Sequence, residues 1–362
     1  MNIVHLQLSG GIGGISVLTR DLAGISDNNN IFYFLFEGGV IADDMAKNGS
    51  LVHVEDGKHF AFLSEAKKFT AFCKKNNADV IIAHSGSPIC RFLATYAKKH
   101  IKSAKLLIYF HSNAYLGSYK NKIKKILDDK IEKSAFKNCE NAVAISDSVK
   151  ESFVKKYSFD HDKIKVVYNG VDTEKFLPDF NKPTACFTIS YVGRVLKFKG
   201  IHTLIEAAAL LPYNDIKIQI IGRAYDGYDK ELTALAKEKN IADRINLCGA
   251  QTDIEKWLAK SCLFVHPTMA EEGFGLTLVE ALACGVPCAA FDEGAMREII
   301  TDGKNGFISK KMTAEGLAKA IEKVYLLWKN DYGSYIEMCK YSNISAKRFE
   351  LRNTLKNLES LY

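Results

Sequence analysis

The chain has 362 residues, of which 47% are hydrophobic and 25% charged, with only six prolines. This composition is typical of a globular protein and excludes a fibrous or largely disordered chain. A chain of this length rarely forms a single core, so we expect two domains. The formal net charge of +7 arises in residues 1–169, which carry 24 Lys and Arg against 17 Asp and Glu.

The nine cysteines are odd in number and scattered, mostly within apolar runs. They are typical of small buried side chains in a reducing compartment rather than of disulfides. The opening stretch MNIVHLQLSGGIGG lacks a basic segment and reaches glycine too early for a signal peptide. No apolar run approaches the roughly 18 residues of a membrane span. We therefore expect a cytoplasmic protein.

Short apolar runs with strand character alternate with helical stretches along the chain. In the first half they lie at residues 2–8, 31–36, 79–84, 105–111, 141–146 and 163–169. A glycine and two prolines within 169–185 indicate a linker. The runs then return at 186–193, 216–222, 244–249, 262–267 and 287–291, and after residue 312 the pattern is helical.

This alternation predicts an α/β protein with two Rossmann-like, doubly wound parallel-sheet domains, spanning residues 1–169 and 170–340. Residues 341–362 are expected to form a C-terminal helix that packs on the first domain. Ligands of such sheets bind at the carboxyl ends of the strands. Two facing sheets therefore predict a central cleft as the binding site.

The first candidate site is the glycine cluster SGGIGGIS, which lies between the first strand and a helix. Gly10, Gly11, Gly13 and Gly14 would let a phosphate approach the backbone and the N–H groups at the helix start. A tight turn is the plainer alternative. A nicotinamide site is also open, because Glu37 follows at about the 20-residue spacing of a ribose-binding acid.

The second candidate site is YVGRVLKFKG, which follows the strand at 186–193. Arg194 and Lys199 are separated by an irregular turn, so both cations can converge on a polyanion such as a diphosphate. Two solvated basic side chains at a strand end are the alternative.

The third candidate site is EEGFGLTLVEALACG, whose apolar spacing predicts a helix beginning near Gly275. Glu272 would precede this helix and Glu280 would lie about one turn inside it. Carboxylates hydrogen-bond vicinal diols, and a nucleotide sugar carries one set on its ribose and another on its sugar ring. The N–H groups of Phe274, Gly275 and Leu276 would face the phosphates between them.

Two weaker candidates also follow predicted strands. His111 ends the strand of YFHSNAY, where a structural role is the alternative to a catalytic one. In GAQTD, the backbone around Ala250 and Gln251 could contact a nucleotide base, or could form a plain turn.

Together, these motifs resemble the retaining glycosyltransferases of family 4, which have the GT-B fold. The resemblance rests on GGIGG, HSN, YNGVD, VGRVLKFKG, EGFGLTLVEALACGVPCAA and GAMREIITDGKNGF, which occur in the family's order over almost the whole chain. The E-x7-E pattern of Glu272 and Glu280, in its G-F-G and A-C-G-V-P context, is the most specific part.

The resemblance implies a role for each matching position. Glu272 matches the glutamate that lies against the transferred sugar, and Glu280 matches the one that holds the nucleotide ribose. Arg194 and Lys199 match the pair that neutralises the diphosphate leaving group. His111 matches a histidine near the reacting centre.

The other matching positions would contact the donor through their backbone. Gly13 and Gly14 match loop glycines beside the diphosphate, and Phe274, Gly275 and Leu276 match its backbone cradle. The sequence departs from the family at Thr277, where proline is common, and in the loop FDEGAMREII, which leaves the sugar of the donor open.

The expected chemistry follows from the leaving group. Fixed cations that face the departing diphosphate stabilise the transition state, and Arg194 and Lys199 are expected to serve here without a divalent metal or other cofactor. The family resemblance implies retention of configuration, with front-face attack by the acceptor hydroxyl.

Residues 98–137 hold eleven basic and three acidic side chains. Within them, 120–136 places Ile123, Ile126, Leu127 and Ile131 on one helical face among lysines. This pattern fits either a peripheral contact with an anionic membrane or a core-packed helix with solvated lysines.

We therefore expect a hexosyltransferase that uses a nucleotide-sugar donor, UDP-hexose or UDP-N-acetylhexosamine, and a glycan or lipid-linked acceptor of cell-surface polysaccharide synthesis. No nucleic-acid partner is expected. The open alternatives are a sugar-nucleotide epimerase, another GT-B enzyme and a non-catalytic sugar-nucleotide-binding subunit.

Overall fold

A computed structural model describes residues 1–57, 61–84, 86–114, 121–182 and 185–362 of the protein. The chain divides into two compact units. The first contains Met1–Gly170 and Leu351–Tyr362, and the second contains Val171–Glu350. Residues 341–350 thus belong to the second unit, although the helical pattern of the sequence groups them with the C-terminal helix.

The first unit is built on a seven-stranded parallel sheet. Its strands are β1 (Asn2–Ser9), β2 (Asn29–Glu37), β3 (Leu51–Val54), β4 (Val80–Ala83), β5 (Lys105–Phe110), β6 (Asn141–Ala144) and β7 (Ile164–Val166), arranged in the order β3-β2-β1-β4-β5-β6-β7. The central strands are almost continuously buried because helices cover both faces. β3 was not among the predicted strands, because it is a four-residue edge strand whose side chains are all partly exposed.

In the described part of this unit, six helices connect the strands. They are α1 (Gly14–Ile25), α2 (Val40–Lys47), α3 (Phe62–Lys75), α4 (Pro88–His100), α5 (Lys122–Asn138) and α6 (Asp147–Tyr157).

The second unit repeats this architecture with a six-stranded parallel sheet. Its strands are β8 (Phe187–Val192), β9 (Ile216–Ile221), β10 (Ile245–Gly249), β11 (Leu263–His266), β12 (Cys288–Phe291) and β13 (Gly306–Ser309), arranged in the order β10-β9-β8-β11-β12-β13. The predicted doubly wound parallel sheets are therefore confirmed in both units. β13, a short strand that begins with glycine, was not among the predicted strands.

The helices of the second unit are α7 (Ile201–Ala209), α8 (Tyr228–Glu238), α9 (Ile254–Ala259), α10 (Leu276–Ala283), α11 (Met296–Ile299), α12 (Ala314–Asn330) and α13 (Tyr332–Ala346). The core lies where α7 and α12 pack on the sheet, with Phe187, Tyr325 and Trp328 in mutual aromatic contact.

The last helix, α14 (Leu351–Glu359), belongs to the first unit. Its Glu359 accepts hydrogen bonds from Oγ of Ser26 at 2.8 Å and Nδ2 of Asn28 at 2.7 Å. At its other end, the Thr354 hydroxyl donates to the Tyr168 carbonyl at 2.9 Å. Bonds to both ends hold α14 against the sheet that ends nearly 200 residues earlier in the chain.

Two further predictions concern the chain as a whole. All nine cysteines are free thiols, and seven of them are buried, as expected for small apolar side chains. In the part of the chain that the structure describes, no helix is long and apolar enough to cross a membrane.

Each sheet has one point where the strand order reverses, between β1 and β4 in the first unit and between β8 and β11 in the second. In open parallel sheets, ligands bind outside the carboxyl ends of the strands at this point. The segments after β1, β8 and β11 contain Gly13, Arg194 and Glu272, respectively.

Candidate functional site

The segment after β8 is held against the neighbouring strand ends by glycine contacts. Gly200 has a φ of +69°, and a Cβ there would lie 2.0 Å from the carbonyl oxygen of Pro267, which follows β11. Likewise, a Cβ on Gly222 would lie 1.8 Å from the Gly193 carbonyl oxygen. Only glycine permits such close backbone approach. The turn 193–200 is therefore fixed between the ends of β9 and β11.

This turn brings Lys199 to Glu272. The Lys199 ammonium donates a hydrogen bond to Oε2 of Glu272 at 2.6 Å, and the two side chains are 16% and 24% exposed. Nε2 of His266 lies 3.4 Å from the same oxygen. Two predicted site residues, one from each of two distant motifs, are thus in direct contact.

The environment keeps the Glu272 carboxylate ionised. Burial alone would raise its pKa, but the contacts with His266 and with the Lys199 ammonium outweigh burial and lower the pKa to about 2. In the described chain, Oε1 of Glu272 accepts no hydrogen bond from another residue. The carboxylate is therefore anchored by one oxygen and has the other available to a hydroxyl group.

The backbone of Glu272 is gripped by the loop before α11. The amide of Ala295 donates to the Glu272 carbonyl at 3.1 Å. Gly294 has a φ of +57°, and a Cβ there would lie 2.2 Å from the same carbonyl oxygen. The loop FDEGAMREII, which contains Gly294 and Ala295, thus positions Glu272.

The helix α10 begins where the sequence predicts. Gly275 precedes it with a φ of +91°, and a Cβ there would lie 3.8 Å from Cγ of Glu272 and 3.0 Å from Leu278. Phe274 is buried against the ring of Phe349 at 5.4 Å. The start of α10, at Leu276, therefore lies beside Glu272, whereas Glu280 is partly buried on the second turn of the helix.

Arg194 is the more open of the two predicted cations. Its backbone carbonyl accepts a hydrogen bond from the Tyr191 hydroxyl at 2.9 Å, which fixes the turn. Its side chain is exposed and forms no ion pair with any described residue. The guanidinium can therefore reorient toward a bound anion.

The glycines of the first-unit cluster differ in how closely they are packed. Gly10 is packed, because a Cβ there would lie 2.4 Å from the Ala42 side chain in α2. Gly13 is exposed at the position preceding α1, with nothing within 4 Å of an added Cβ. Gly14 is the first residue of α1 and is also exposed. The N–H groups of this helix start are accordingly open on the side of Gly13.

His111 follows β5 and is held by aromatic neighbours. Its Nε2 lies 3.0 Å from Nδ1 of His84, and its ring centroid is 4.2 Å from that of Tyr109. Burial, followed by the positive charge of Arg91, lowers the pKa of His111 to about 3, so the ring is neutral near pH 7.

Of the two residues after β10 that were predicted to contact the nucleotide base, one already forms a hydrogen bond within its own turn. Gln251 turns back and donates its amide to the Cys248 carbonyl at 2.8 Å, whereas Ala250 is exposed. This bond fixes the turn and leaves the carbonyl oxygen of the Gln251 side chain directed away from that contact.

His266 and His84 were not among the predicted site residues. His266 ends β11, and its Nε2 lies 3.0 Å from the Thr268 hydroxyl as well as near Glu272. The rule that singled out His111, a histidine at the carboxyl end of a parallel strand, applies equally to both. No three acidic, histidine or cysteine side chains within the described ranges form a group that could hold a metal ion.

The face of α5 is more exposed than a core-packed helix would allow. Ile123, Ile126 and Leu127 are 71%, 54% and 54% exposed, so the core-packed interpretation is wrong for these three. Ile131 is half-buried and lines a mainly apolar groove of about 240 Å³ between α4 and α5, flanked by Lys99 and Lys130.

Two family models match the chain. The model described as glycosyl transferases group 1 matches residues 172–338, and that described as glycosyltransferase family 4 matches residues 27–175. An uncharacterized glycosyltransferase of Methanocaldococcus jannaschii is 28% identical over 74% of this chain and 70% of its own length. The capsular polysaccharide biosynthesis glycosyltransferase CapM of Staphylococcus aureus is 29% identical over 67% of each chain.

Other curated relatives match over 43 to 51% of their own length. Among solved structures, that of HepE from Anabaena in complex with UDP is similar to this chain with a TM-score of 0.85. It is 20% identical and covers 99% of both chains.

Proposed function

Because the chain belongs to the family 4 glycosyltransferases and has their GT-B fold, we propose that it is a retaining hexosyltransferase. It moves a sugar from a nucleotide-sugar donor, UDP-hexose or UDP-N-acetylhexosamine, to a glycan or lipid-linked acceptor of lipopolysaccharide or capsule synthesis. The observation that supports this proposal most directly is the contact between Lys199 and Glu272. It joins the cation expected to bind the diphosphate to the acid expected to bind the sugar. The names of the similar proteins support UDP as the nucleotide and a surface polysaccharide as the product.

Lys199 can hydrogen-bond Glu272 and the diphosphate of the donor at the same time. An ammonium has three N–H donors, and one of them is given to Glu272. The others can donate to oxygens of the diphosphate, with Arg194 adding a second positive charge. Fixed cations that face the leaving group stabilise the charge that develops as the bond to the sugar breaks. As proposed, the reaction needs no divalent metal or other cofactor.

Glu272 is suited to orient the sugar. Its ionised carboxylate is an acceptor, and its unengaged Oε1 can accept a hydrogen bond from a ring hydroxyl. Because Oε2 is already held by Lys199, the carboxylate is oriented before the donor binds. This geometry supports sugar positioning and gives Glu272 no need to act as a nucleophile.

The remaining residues complete the donor site as proposed. Glu280 accepts from the ribose hydroxyls, and Ala250 and Gln251 contact the base. The N–H groups of Phe274, Gly275 and Leu276 donate to the phosphates, a role supported by the positive end of the α10 dipole. For the first unit, we propose that the N–H groups near Gly13 and Gly14 donate to phosphate oxygens and that His111 contacts the sugar.

We also propose that the exposed face of α5 contacts an anionic membrane, at the inner face of the cell membrane, where a lipid-linked acceptor would be found. The exposed Ile123, Ile126 and Leu127 supply apolar area, and the surrounding lysines supply charge.

A panel of UDP-, GDP- and ADP-sugars tests the transferase function. We expect one UDP-sugar to release UDP in the presence of a glycan or lipid-linked acceptor, and the product to keep the anomeric configuration of the donor by ¹H NMR. The Glu272→Gln variant should release little UDP. Interconversion of the sugar without release of UDP would indicate an epimerase instead, and an inverted product would contradict the retaining mechanism.

A further inference from the structure

Three histidines form a hydrogen-bonded chain across the first sheet. His5 lies in β1, His84 directly follows β4, and His111 directly follows β5, and these strands are neighbours. Nδ1 of His5 is 2.9 Å from Nε2 of His84, and Nδ1 of His84 is 3.0 Å from Nε2 of His111. Both distances fit nitrogen-to-nitrogen hydrogen bonds.

At the Asn30 end of this hydrogen-bonded chain of side chains, the direction of donation is fixed. Nδ2 of Asn30 lies 3.0 Å from the backbone carbonyl of Asn28, and a carbonyl can only accept. The atom that faces this carbonyl must therefore be the amide nitrogen of Asn30. Its Oδ1 is then the atom that lies 2.9 Å from Nε2 of His5, so this ring nitrogen must carry the proton.

This direction passes from ring to ring because each ring is neutral. Burial lowers the pKa of His5 to about 4, and burial followed by the charges of His5, His111 and Arg91 places the pKa of His84 well below its usual value. A neutral imidazole has one donor and one acceptor. His5 therefore accepts at Nδ1 from Nε2–H of His84, which in turn accepts at Nδ1 from Nε2–H of His111.

We propose that His5 and His84 are positioning residues that hold His111 in the Nε2–H tautomer and thereby make its Nδ1 a hydrogen-bond acceptor for a hydroxyl of the transferred sugar. In the described part of the chain, Nδ1 of His111 has no hydrogen-bond partner. The assignment of the sugar to this nitrogen rests on the proposed function. The assignment of the tautomer rests on the hydrogen-bonded chain and on the neutrality of its rings, and not on the proposed function.

The opposite tautomer would have the opposite effect on the same hydroxyl. With the proton on Nδ1, His111 would donate rather than accept at the position where a sugar hydroxyl is proposed to bind. His5 and Asn30 contact no substrate in this proposal. Because they fix the direction of the hydrogen bonds, they decide whether Nδ1 of His111 accepts or donates.

The wild-type tautomer is the first test. Long-range ¹H–¹⁵N correlation spectra of the full chain, labelled with ¹⁵N-histidine, distinguish a protonated from an unprotonated ring nitrogen. Near pH 7 we expect His111 and His84 to carry the proton on Nε2 alone. A protonated Nδ1 on His111 would overturn the proposal without any assay of activity.

Two variants test the cause. His5→Phe keeps an aromatic ring in contact with the rings of Phe32 and His84. It removes the acceptor for Nε2–H of His84. A buried donor without an acceptor disfavours that tautomer by about tenfold or more, so His111 should shift toward Nδ1–H. Asn30→Leu, which removes the acceptor for His5, should shift it in the same direction. His161→Gln, at an exposed site outside the chain of histidines, should leave the tautomer unchanged.

Kinetics connect the tautomer to the sugar. With an active donor, His5→Phe should lower kcat/KM about tenfold, in proportion to the shift in the His111 tautomer. An unchanged tautomer in both folded variants would refute the role of His5 and Asn30, even if activity fell. Failure of the proposed function has a different signature, namely the expected tautomers in a wild-type protein that transfers sugar from none of the donors.

Discussion

The ammonium of Lys199 donates a hydrogen bond to the carboxylate of Glu272 at 2.6 Å, although the two residues are 73 positions apart in the chain. They meet because β8 and β11 are adjacent and parallel, so the segments that follow them leave the same edge of the sheet. A change to either residue therefore affects both the cation and the acid of the proposed site.

Replacement of Lys199 should impair catalysis more than binding. In Lys199→Met, the side chain keeps its length but cannot stabilise the charge on the leaving diphosphate, and we expect kcat to fall about 10²- to 10³-fold. Steady-state kinetics measure the effect. Lys197→Met is the matched control, because Lys197 is 78% exposed and pairs with Glu231 at the surface. Equal, small effects of the two substitutions would contradict the assigned role.

The Glu272 carboxylate should make stability depend on pH in the acid range. Its pKa is lowered from 4.5 to about 2 in the folded protein, so folding favours the ionised form. This contribution is complete above about pH 4.5 and is lost as the pH falls toward 2. Urea unfolding at several pH values should show that Glu272→Gln differs from wild type more at pH 7 than near pH 3.

The control for this measurement is Glu337→Gln, which removes one carboxylate from an exposed part of α13. A difference between wild type and Glu272→Gln that stays constant from pH 7 to pH 3 would show that the carboxylate is not stabilised as described.

Gly294 should be essential for the position of Glu272. In Gly294→Ala, the positive φ and the overlap with the Glu272 carbonyl each cost about 1–2 kcal/mol. Gly303→Ala has a similar φ of +79° but its nearest new contact is at 4.0 Å, so it isolates the backbone cost. Chemical unfolding should show a larger loss for Gly294→Ala, together with weaker donor binding. Equal losses would indicate that the loop yields.

Glu280 should recognise the ribose of the donor. In Glu280→Gln, we expect UDP to bind about tenfold more weakly, because a charged acceptor is replaced by a neutral amide. Calorimetry with 2′,3′-dideoxy-UDP supplies the comparison, since this nucleotide lacks the hydroxyls that the carboxylate would accept from. A similar loss for both nucleotides would place the effect of Glu280 elsewhere.

The exposed face of α5 should support membrane binding. Replacing Ile123 and Ile126 together with serine removes apolar area and should release the protein from vesicles containing anionic lipid. Flotation measures the bound fraction, with neutral vesicles as the comparison. Ile344→Ser, at a residue 60% exposed on α13, controls for the loss of an exposed isoleucine. Equal binding of wild type to neutral and anionic vesicles would exclude the proposed contact.

Much of the fold could be predicted from local pattern. Buried parallel strands are continuous apolar runs, and glycines mark their ends, so most strands and the start of α10 at Gly275 were recognisable. The two missed strands, β3 and β13, are four residues long, and their assignment depends on pairing with a neighbour rather than on their own composition. The end of the second unit was also hidden, because no sequence signal separates α13 from α14.

The sequence alone determined which residue types stand at the strand ends: the cations of one motif, the two acids of another and the glycines of a third. Only the tertiary structure decided which of them touch. Three contacts of this kind join segments of different strands. They are the hydrogen bond from Lys199 to Glu272, the packing of Gly294 on the Glu272 backbone, and the hydrogen-bonded chain from Asn30 to His111. Such contacts depend on strand order and register, which arise from packing of the whole sheet and leave no periodic trace in a local stretch of sequence.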